Sequence, residues 1–186
     1  MNGQDLIKRY RLGERDFAGM DLSEVNLRAN SLQGVNLQGA DLSGACLRGA
    51  DLRNVDLKGA KLSGADMIGV DLIQADLRET TLTGAQMTGA NLRESVLERA
   101  LLYQVNLRGA DLSHANLSSA DLSGADLRRS KLCGANLTSA ILFQTDLREA
   151  DLSEAQIEIE QLADVKSIES AILPEGLEVA DLDRVF

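Results

Sequence analysis

The sequence predicts a solenoid in which the chain coils around a core of its own leucines. Three observations lead to this prediction. Every fifth residue from Phe17 to Ile157 is a large apolar side chain, 29 times in succession, and we call these positions the centres of the repeats. The residue before each centre is Asp or Asn in 19 repeats, and the residue two before it is mostly Ala or Val. The residue two after the centre is Gly in 13 repeats. Such self-similarity at a fixed period is typical of repeat architectures.

A period of five fits neither a helix nor a flat strand. Steps of five along an α-helix rotate by about 140°, which would spread the leucines around all its sides. Along a flat strand, an odd spacing would send alternate leucines to opposite faces. The chain must therefore bend once in every unit, such as the one from Ala40 to Gly44. We expect the centre and the small residue two before it to point inward. Gly, Asn and Asp favour the bends because they tolerate tight turns.

These units resemble the repeats of the pentapeptide-repeat family, whose consensus is Ala, Asp or Asn, Leu, and two variable residues. The resemblance covers roughly residues 12 to 157. It implies an all-β solenoid, namely a right-handed quadrilateral parallel β-helix with four repeats per coil and about seven coils. Side chains twenty residues apart, such as Leu47 and Met67, would then stack in columns. Many members, especially from cyanobacteria, resemble this chain in having a short N-terminal helix before an uninterrupted coil.

Both ends of the chain depart from the repeat. We expect an N-terminal helical cap at residues 1–13, the β-helix at 14–157, and a C-terminal cap with an acidic tail at 158–186, all in one structural domain. Gln4 to Arg11 combines helix-forming residues with an apolar pair, which predicts a short helix across the first coil that ends near Gly13. A solenoid needs such caps because its core is exposed at both ends.

The five-residue register ends after the last repeat. The next apolar residues are Leu162, Val165, Ile168 and Ile172. Their three- and four-residue intervals predict a C-terminal helix that covers the last coil. A degenerate final coil is the competing interpretation. Residues 177–186 are amphipathic and could pack on the rod, pair two copies of the chain in a homodimer, or remain loose.

Composition and motifs favour a protein without catalytic activity. The only histidine, His114, has no Cys or His partner at metal-ligand spacing, and the glycines follow the repeat rather than a phosphate-binding loop. Cys46 and Cys133 lie more than four coils apart, about 20 Å at the spacing of stacked strands, which is too far for a disulfide. The N-terminus is too polar for a signal peptide, and no apolar run approaches a membrane span. We expect a cytoplasmic protein with no enzyme activity, cofactor or metal.

Charge gives little support for binding nucleic acid directly. The net charge is −10, and much of the acidity lies in residues 158–186. One column of the predicted rod contains Arg28, Arg48, Arg108, Arg128 and Arg148. A basic stripe of this kind can contact phosphates. However, Ile68 and Thr88 interrupt it, and neighbouring Asp residues are expected to neutralise part of it. Direct nucleic-acid binding is therefore not expected.

Departures from the repeat mark the candidate binding surface. Leu101 and Ile141 occupy the position before a centre, where a polar residue is usual, and Tyr103 and Phe143 are the only aromatic residues directly after a centre. All four belong to one side of the predicted rod, because their centres differ by two full coils. Exposed aliphatic and aromatic clusters are typical of binding surfaces. Packing under the C-terminal tail, or a side that merely tolerates apolar residues, are the alternatives.

A smaller apolar spot is expected at Ile68 and Ile73, which also point outward.

Three functions are compatible with these features. The first is a non-catalytic solenoid that presents rigid, patterned sides to a protein partner whose identity the sequence does not indicate. The family resemblance implies an alternative, since some members imitate the shape and charge of DNA and inhibit or protect DNA gyrase or topoisomerase IV. An enzyme or metal protein on the repeat scaffold is the third and least supported.

Overall fold

The fold is that of a computed structural model, which describes residues 1–177. Two helices, α1 at Gly3–Arg11 and α2 at Ile159–Leu162, flank a long coil. The coil has no strand longer than one residue within the described range. Instead, each residue directly before a centre, from Asp16 to Asn136, forms an isolated parallel bridge with the residue twenty positions later, as Asp41 does with Lys61. The chain therefore makes one turn every four repeats, and 29 repeats give about seven turns. The right-handed sense of the coil stays a prediction.

The coil has four sides, which we number by the first centre on each. Side 1 begins with Phe17, side 2 with Leu22, side 3 with Leu27 and side 4 with Leu32. The centres, apart from the partly buried Ile157, and most of the small residues two before them form one continuous buried core, as predicted. Because bridged residues are twenty positions apart, the large side chains of each side stack in columns. Burial of these apolar columns is the main stabilising contribution to such a fold.

One repeat shows why the period is five. In the unit from Ala40 to Gly44, four of the five backbone amides donate to backbone carbonyl groups. The acceptors are Leu37 for Ala40 at 3.1 Å, Met20 for Asp41 at 2.9 Å, Lys61 for Leu42 at 2.7 Å and Ser63 for Gly44 at 3.0 Å. The fifth amide, that of Ser43, donates to Oδ1 of Asp41 at 3.0 Å. Backbone donors are therefore fully used, three of them in bonds between coils.

The Asp or Asn before the centre is thus a structural residue. All 19 of these residues accept a hydrogen bond from the amide two positions later, with distances of 2.9 to 3.4 Å. This confirms the expectation that Asp and Asn before the centres serve the bends of the chain.

The inward small position also accommodates hydroxyl groups. Thr80, Ser95, Ser130 and Thr145 are buried there. Each hydroxyl donates to a backbone carbonyl at 2.6 to 2.8 Å. Within residues 1–177, no buried side-chain polar atom lacks a partner. The core therefore accommodates a hydroxyl residue in place of the usual alanine at these four positions, and no hydroxyl group is left without a hydrogen bond.

Helix α1 covers the first coil, in the segment where a cap is expected. Leu6 and Ile7 are buried against the core. The Tyr10 hydroxyl donates to the carbonyl oxygen of Gln33 at 3.1 Å. Gly3 approaches the coil so closely that a Cβ atom there would lie 2.5 Å from the carbonyl oxygen of Asn26. The helix is therefore docked by packing and by one close backbone contact.

The C-terminal segment corrects the predicted helix. Between residues 158 and 177, only Ile159–Leu162 is helical, and the chain then resumes the coil with bridges between residues 21 apart, Asp146 with Ser167 and Asp151 with Ile172. This arrangement is the degenerate coil of the competing interpretation.

The hydrogen bonds give the physical reason. The amides of Leu147 and Leu152 donate to the carbonyl groups of Ser167 and Ile172, both at 2.8 Å. A helix through this segment would leave those amides without acceptors. The expected roles of residues 177–186, including the pairing of two copies, fall on a stretch of which the structure describes only Leu177.

Candidate functional site

Side 2 carries four large apolar side chains that are about half exposed. The exposed fractions are 48% for Leu101, 46% for Tyr103, 53% for Ile141 and 55% for Phe143. We call these four residues the apolar face. The backbone explains their outward direction, because they flank the inward centres Leu102 and Leu142 and side chains alternate along an extended segment. The predicted strip is therefore present as a surface feature, and its role in binding stays a prediction.

The face consists of two strips separated by one coil. Leu101 bridges to Asp121, and Asp121 bridges to Ile141. Neighbouring coils lie about 4.8 Å apart, so the strips are about 10 Å apart along the rod. Asp121 and Ser123 occupy the intervening coil, and both the Ser123 amide and hydroxyl donate to Oδ1 of Asp121, at 2.9 and 2.6 Å. The face is thus an apolar, polar, apolar ladder of fixed spacing.

The apolar face occupies positions that the fold would otherwise use for turn hydrogen bonds. Leu101 and Ile141 replace the usual Asp or Asn, so their side chains offer no acceptor to the amide two residues later. Within residues 1–177, the amides of Tyr103 and Phe143 accordingly have no hydrogen-bond acceptor in the protein. Two repeats of side 2 therefore lack a bond that most repeats have.

The coils that carry the face are almost free of charge on side 2, although the following coil brings Asp164 next to Gln144, whose amide donates to the Asp164 carbonyl group at 2.7 Å. From Thr81 to Gln144, the outward positions of side 2 contain a single charged residue, Asp121. The others are Thr81, Thr83, Gly84, Leu101, Tyr103, Gln104, Ser123, Gly124, Ile141, Phe143 and Gln144. The cores of protein–protein interfaces are depleted in charge and enriched in aromatic residues in the same way.

Side 3 has the opposite character, with arginines paired to carboxylates. Arg128 Nη2 lies 2.5 Å from Asp126, and Arg148 Nη2 lies 2.6 Å from Asp146. The Asp146 side chain is only 7% exposed, and Lys166 Nζ lies 3.9 Å from it. The hydrogen bond from Arg148 holds the pKa of Asp146 below its ordinary value, because it stabilises the carboxylate form. The predicted neutralisation of the arginine column is therefore present on this part of side 3.

The second apolar spot is less prominent. Ile68 and Ile73 are only partly exposed and lie on sides 3 and 4, after the centres Met67 and Leu72. The fold does not bring them to the apolar face on side 2. They remain a predicted interaction site of smaller area.

Sequence reasoning missed a groove at the N-terminal end. It has a volume of about 750 Å³ and lies between α1 and the first coil. Ile7, Arg11, Asn26 and Arg28 are among the residues that line it. No motif signals this groove, because it depends on how α1 is placed across the coil.

The described part of the chain shows neither a cation site nor a membrane span. Within residues 1–177, no group of three or more His, Cys, Asp or Glu side chains is arranged to hold a metal ion. His114 lies in the turn of its repeat, with its ring close to Gly134 of the next coil. A Cβ atom added at Gly134 would lie 2.5 Å from Nδ1 of His114. Cys46 and Cys133 are free thiols. No helix in the same range is both long and apolar enough to cross a membrane.

Comparison with known families identifies the repeat. The model described as pentapeptide repeats matches residues 21–59, 56–94, 95–134 and 120–158. The chain belongs to the pentapeptide repeat family. This pentapeptide repeat protein is 30% identical to HetL of the cyanobacterium Nostoc sp. strain PCC 7120, a member involved in the regulation of heterocyst differentiation. The match covers 94% of each chain with a TM-score of 0.51.

A second solved structure shares the fold at lower identity. QnrB1, a plasmid-mediated fluoroquinolone resistance protein, is 17% identical over 91% of this chain and 94% of its own, with a TM-score of 0.56. At that identity the likeness concerns the fold alone. No curated protein matches the chain.

Proposed function

We propose that this pentapeptide repeat protein is a non-catalytic scaffold that binds another protein through the apolar face on side 2. The observation that carries the proposal is the exposure of Leu101, Tyr103, Ile141 and Phe143 on a stretch of side 2, from Thr81 to Gln144, whose outward positions hold one charged residue. Large apolar and aromatic side chains dominate the energetics of protein interfaces. They also serve no turn function where they stand, since Leu101 and Ile141 replace hydrogen-bonding residues of the repeat.

The rigid backbone of the coil suits the apolar face to binding. Backbone hydrogen bonds join the first strip to the coils before and after it, and Ile141 and Phe143 to the coil before them, so little backbone ordering is required on binding. Family membership agrees with a protein of this kind, since HetL is described as a participant in regulation. The partner of the present protein is not specified by that relationship.

The experiment is affinity capture with a matched control. The wild-type protein, Tyr103→Glu/Phe143→Glu and Ser113→Glu/Ser153→Glu are immobilised and exposed to lysate of the source organism. The control pair lies on side 4, opposite the face, in the same repeat position and with the same forty-residue separation. Glutamate occurs at this position of the repeat as Glu98 on side 1, where Val96 takes the place of the Asp that precedes each control serine. Circular dichroism checks that all three proteins are folded.

The expected result is one protein that is retained by the wild type and by the side 4 control and lost from the side 2 variant. Its binding is then reproduced with purified components. Equal capture by all three proteins would contradict the proposal.

Mimicry of DNA on a topoisomerase is the alternative that the family resemblance implies. A DNA mimic needs carboxylates spaced as phosphates are, without cations between them. Several carboxylates of this protein are instead paired with the arginine two residues later, namely Asp51, Asp126 and Asp146. Inhibition of supercoiling by purified gyrase would support the alternative, particularly if the side 2 variant were equally active.

A further inference from the structure

The apolar face has the spacing of a helix surface. Its two strips are about 10 Å apart along the rod, and seven residues of an α-helix span about 10.5 Å. Within each strip, the two outward side chains are two residues apart, about 7 Å, and we call the space between the column of Leu101 and Ile141 and the column of Tyr103 and Phe143 the trough. A helix lying in this trough would place one apolar side chain between Leu101 and Tyr103. Another, seven residues later, would lie between Ile141 and Phe143.

The middle of the trough carries the negative charge of one carboxylate. Asp121 lies between the strips, and its hydrogen-bond partners there are the amide and hydroxyl of Ser123. Within residues 1–177, no cationic group lies within 4.0 Å of this carboxylate. On side 3 the corresponding Asp126 is paired with Arg128. A partner that covers Asp121 must therefore provide a donor, because an uncompensated carboxylate is costly to bury.

A second copy of the chain does not meet this requirement. If the rods run parallel, the two-fold axis runs along them and sets Asp121 of each copy against Ser123 of the other, so neither carboxylate meets a cation. If the rods run antiparallel, the axis that brings the apolar strips together passes at the level of Asp121. The two Asp121 carboxylates would then meet at the centre of the interface. Shifting the axis to another level would set an apolar strip against the polar coil. Like charges in these positions oppose association.

From this geometry we infer that the apolar face binds an amphipathic helix of another protein. The helix carries two large apolar residues seven positions apart, with Lys or Arg three or four positions after the first, where it meets Asp121. This inference rests on the proposed function and specifies the chemistry of its partner. Anchors at such intervals are how amphipathic helices bind grooves.

The test is a selection from a library of helical peptides about fifteen residues long, displayed on a helical framework with one face randomised. Selection on the full-length wild-type protein is followed by removal of sequences that also bind Tyr103→Glu/Phe143→Glu. The same selection is run on Asp121→Lys. Individual peptides are then titrated against wild type and Asp121→Asn, which keeps the acceptor for the Ser123 amide and removes the charge.

The expected result is enrichment of apolar residues seven apart with Lys or Arg between them, and of Asp or Glu at that position on Asp121→Lys. Affinity for Asp121→Asn should fall about fivefold, which corresponds to one partly exposed ion pair. Three results would overturn the inference: no binder that depends on the face, binders without the spacing, or the same intervening residue on both proteins. If lysate capture nevertheless depends on Tyr103 and Phe143, the proposed function stands and only the helical partner is wrong. If capture is indifferent to them, both fail.

Discussion

Leu101 allows the contribution of one turn hydrogen bond to be separated from the contribution of the apolar face. The amide of Tyr103 has no acceptor within residues 1–177, whereas each Asp or Asn in this position accepts such a bond at 2.9 to 3.4 Å. Leu101→Asn supplies an acceptor, and Leu101→Ala does not. Both remove the same half-exposed leucine contacts, so their difference isolates the bond. A hydrogen bond of this type contributes about 0.5 to 1.5 kcal/mol to stability.

We therefore expect Leu101→Asn to exceed Leu101→Ala in free energy of unfolding by about 1 kcal/mol, measured by urea denaturation at neutral pH. In a chain of this length, the difference corresponds to about 2 to 4 °C in melting temperature. Asn116→Ala, which removes the acceptor for the Ser118 amide at 3.1 Å on side 1, should lose a similar amount. Both Leu101 variants should bind the partner less tightly.

The reasoning would be refuted if Leu101→Asn and Leu101→Ala had the same stability while Asn116→Ala was destabilised. That result would mean that water satisfies the Tyr103 amide as well as a side chain does. If Leu101→Asn were more stable than the wild type and no longer bound the partner, Leu101 would serve binding at the expense of stability.

Three further predictions concern stability. The pKa of Asp146 is lower in the folded state than in the unfolded chain. Its contribution to the free energy of unfolding is therefore complete above the unfolded pKa of about 3.9 and is lost as pH falls through the folded value. Between pH 7 and 3, the urea midpoint should accordingly fall less for Asp146→Asn than for wild type. Gly134→Ala should lower the free energy of unfolding by more than about 1 kcal/mol, because the residue has φ of +66° and the new Cβ atom would lie against His114. Gly64→Ala has the same φ but open space around the new Cβ atom, so its free energy of unfolding should fall less. Chemical denaturation of both variants measures the difference. Gly3→Ala should displace α1 and increase hydrogen exchange in the first coil, since its Cβ atom would overlap a backbone oxygen; unchanged exchange would contradict this packing.

The repeat itself was predictable because a single period determines both the core and the surface. Once Leu102 and Leu142 point inward, the outward direction of Leu101 and Phe143 follows without further information. The turn role of Asp and Asn was predictable for the same reason. The bonding scheme of each repeat, by contrast, becomes visible only when the carbonyl groups of neighbouring coils are placed.

The C-terminal segment was less predictable because its apolar spacing suits two structures. Leu162, Val165 and Ile168 recur as in a helix, yet α2 ends at Leu162 and the bridges continue after it. The ladder of the preceding coil decides between these structures, since its amides require acceptors. The half-exposure of the apolar face could be anticipated from the register, whereas its occupant depends on a molecule that the sequence does not describe.

The one-residue change of register after the last repeat also bears on self-assembly. A stack of single-residue bridges is a template on which another copy could continue the coil, as edge strands invite pairing in sheets. At one end, α1 lies across the core and blocks such addition. At the other, the extra residue is accommodated at α2, so among the described residues the final coil presents bridging positions at Ser167 and Ile172 but a helical turn at Ile159–Leu162, and an added coil would find the ladder interrupted there. A sequence built from one repeated unit thus contains its own termination signal, which favours a rod of defined length over an open filament.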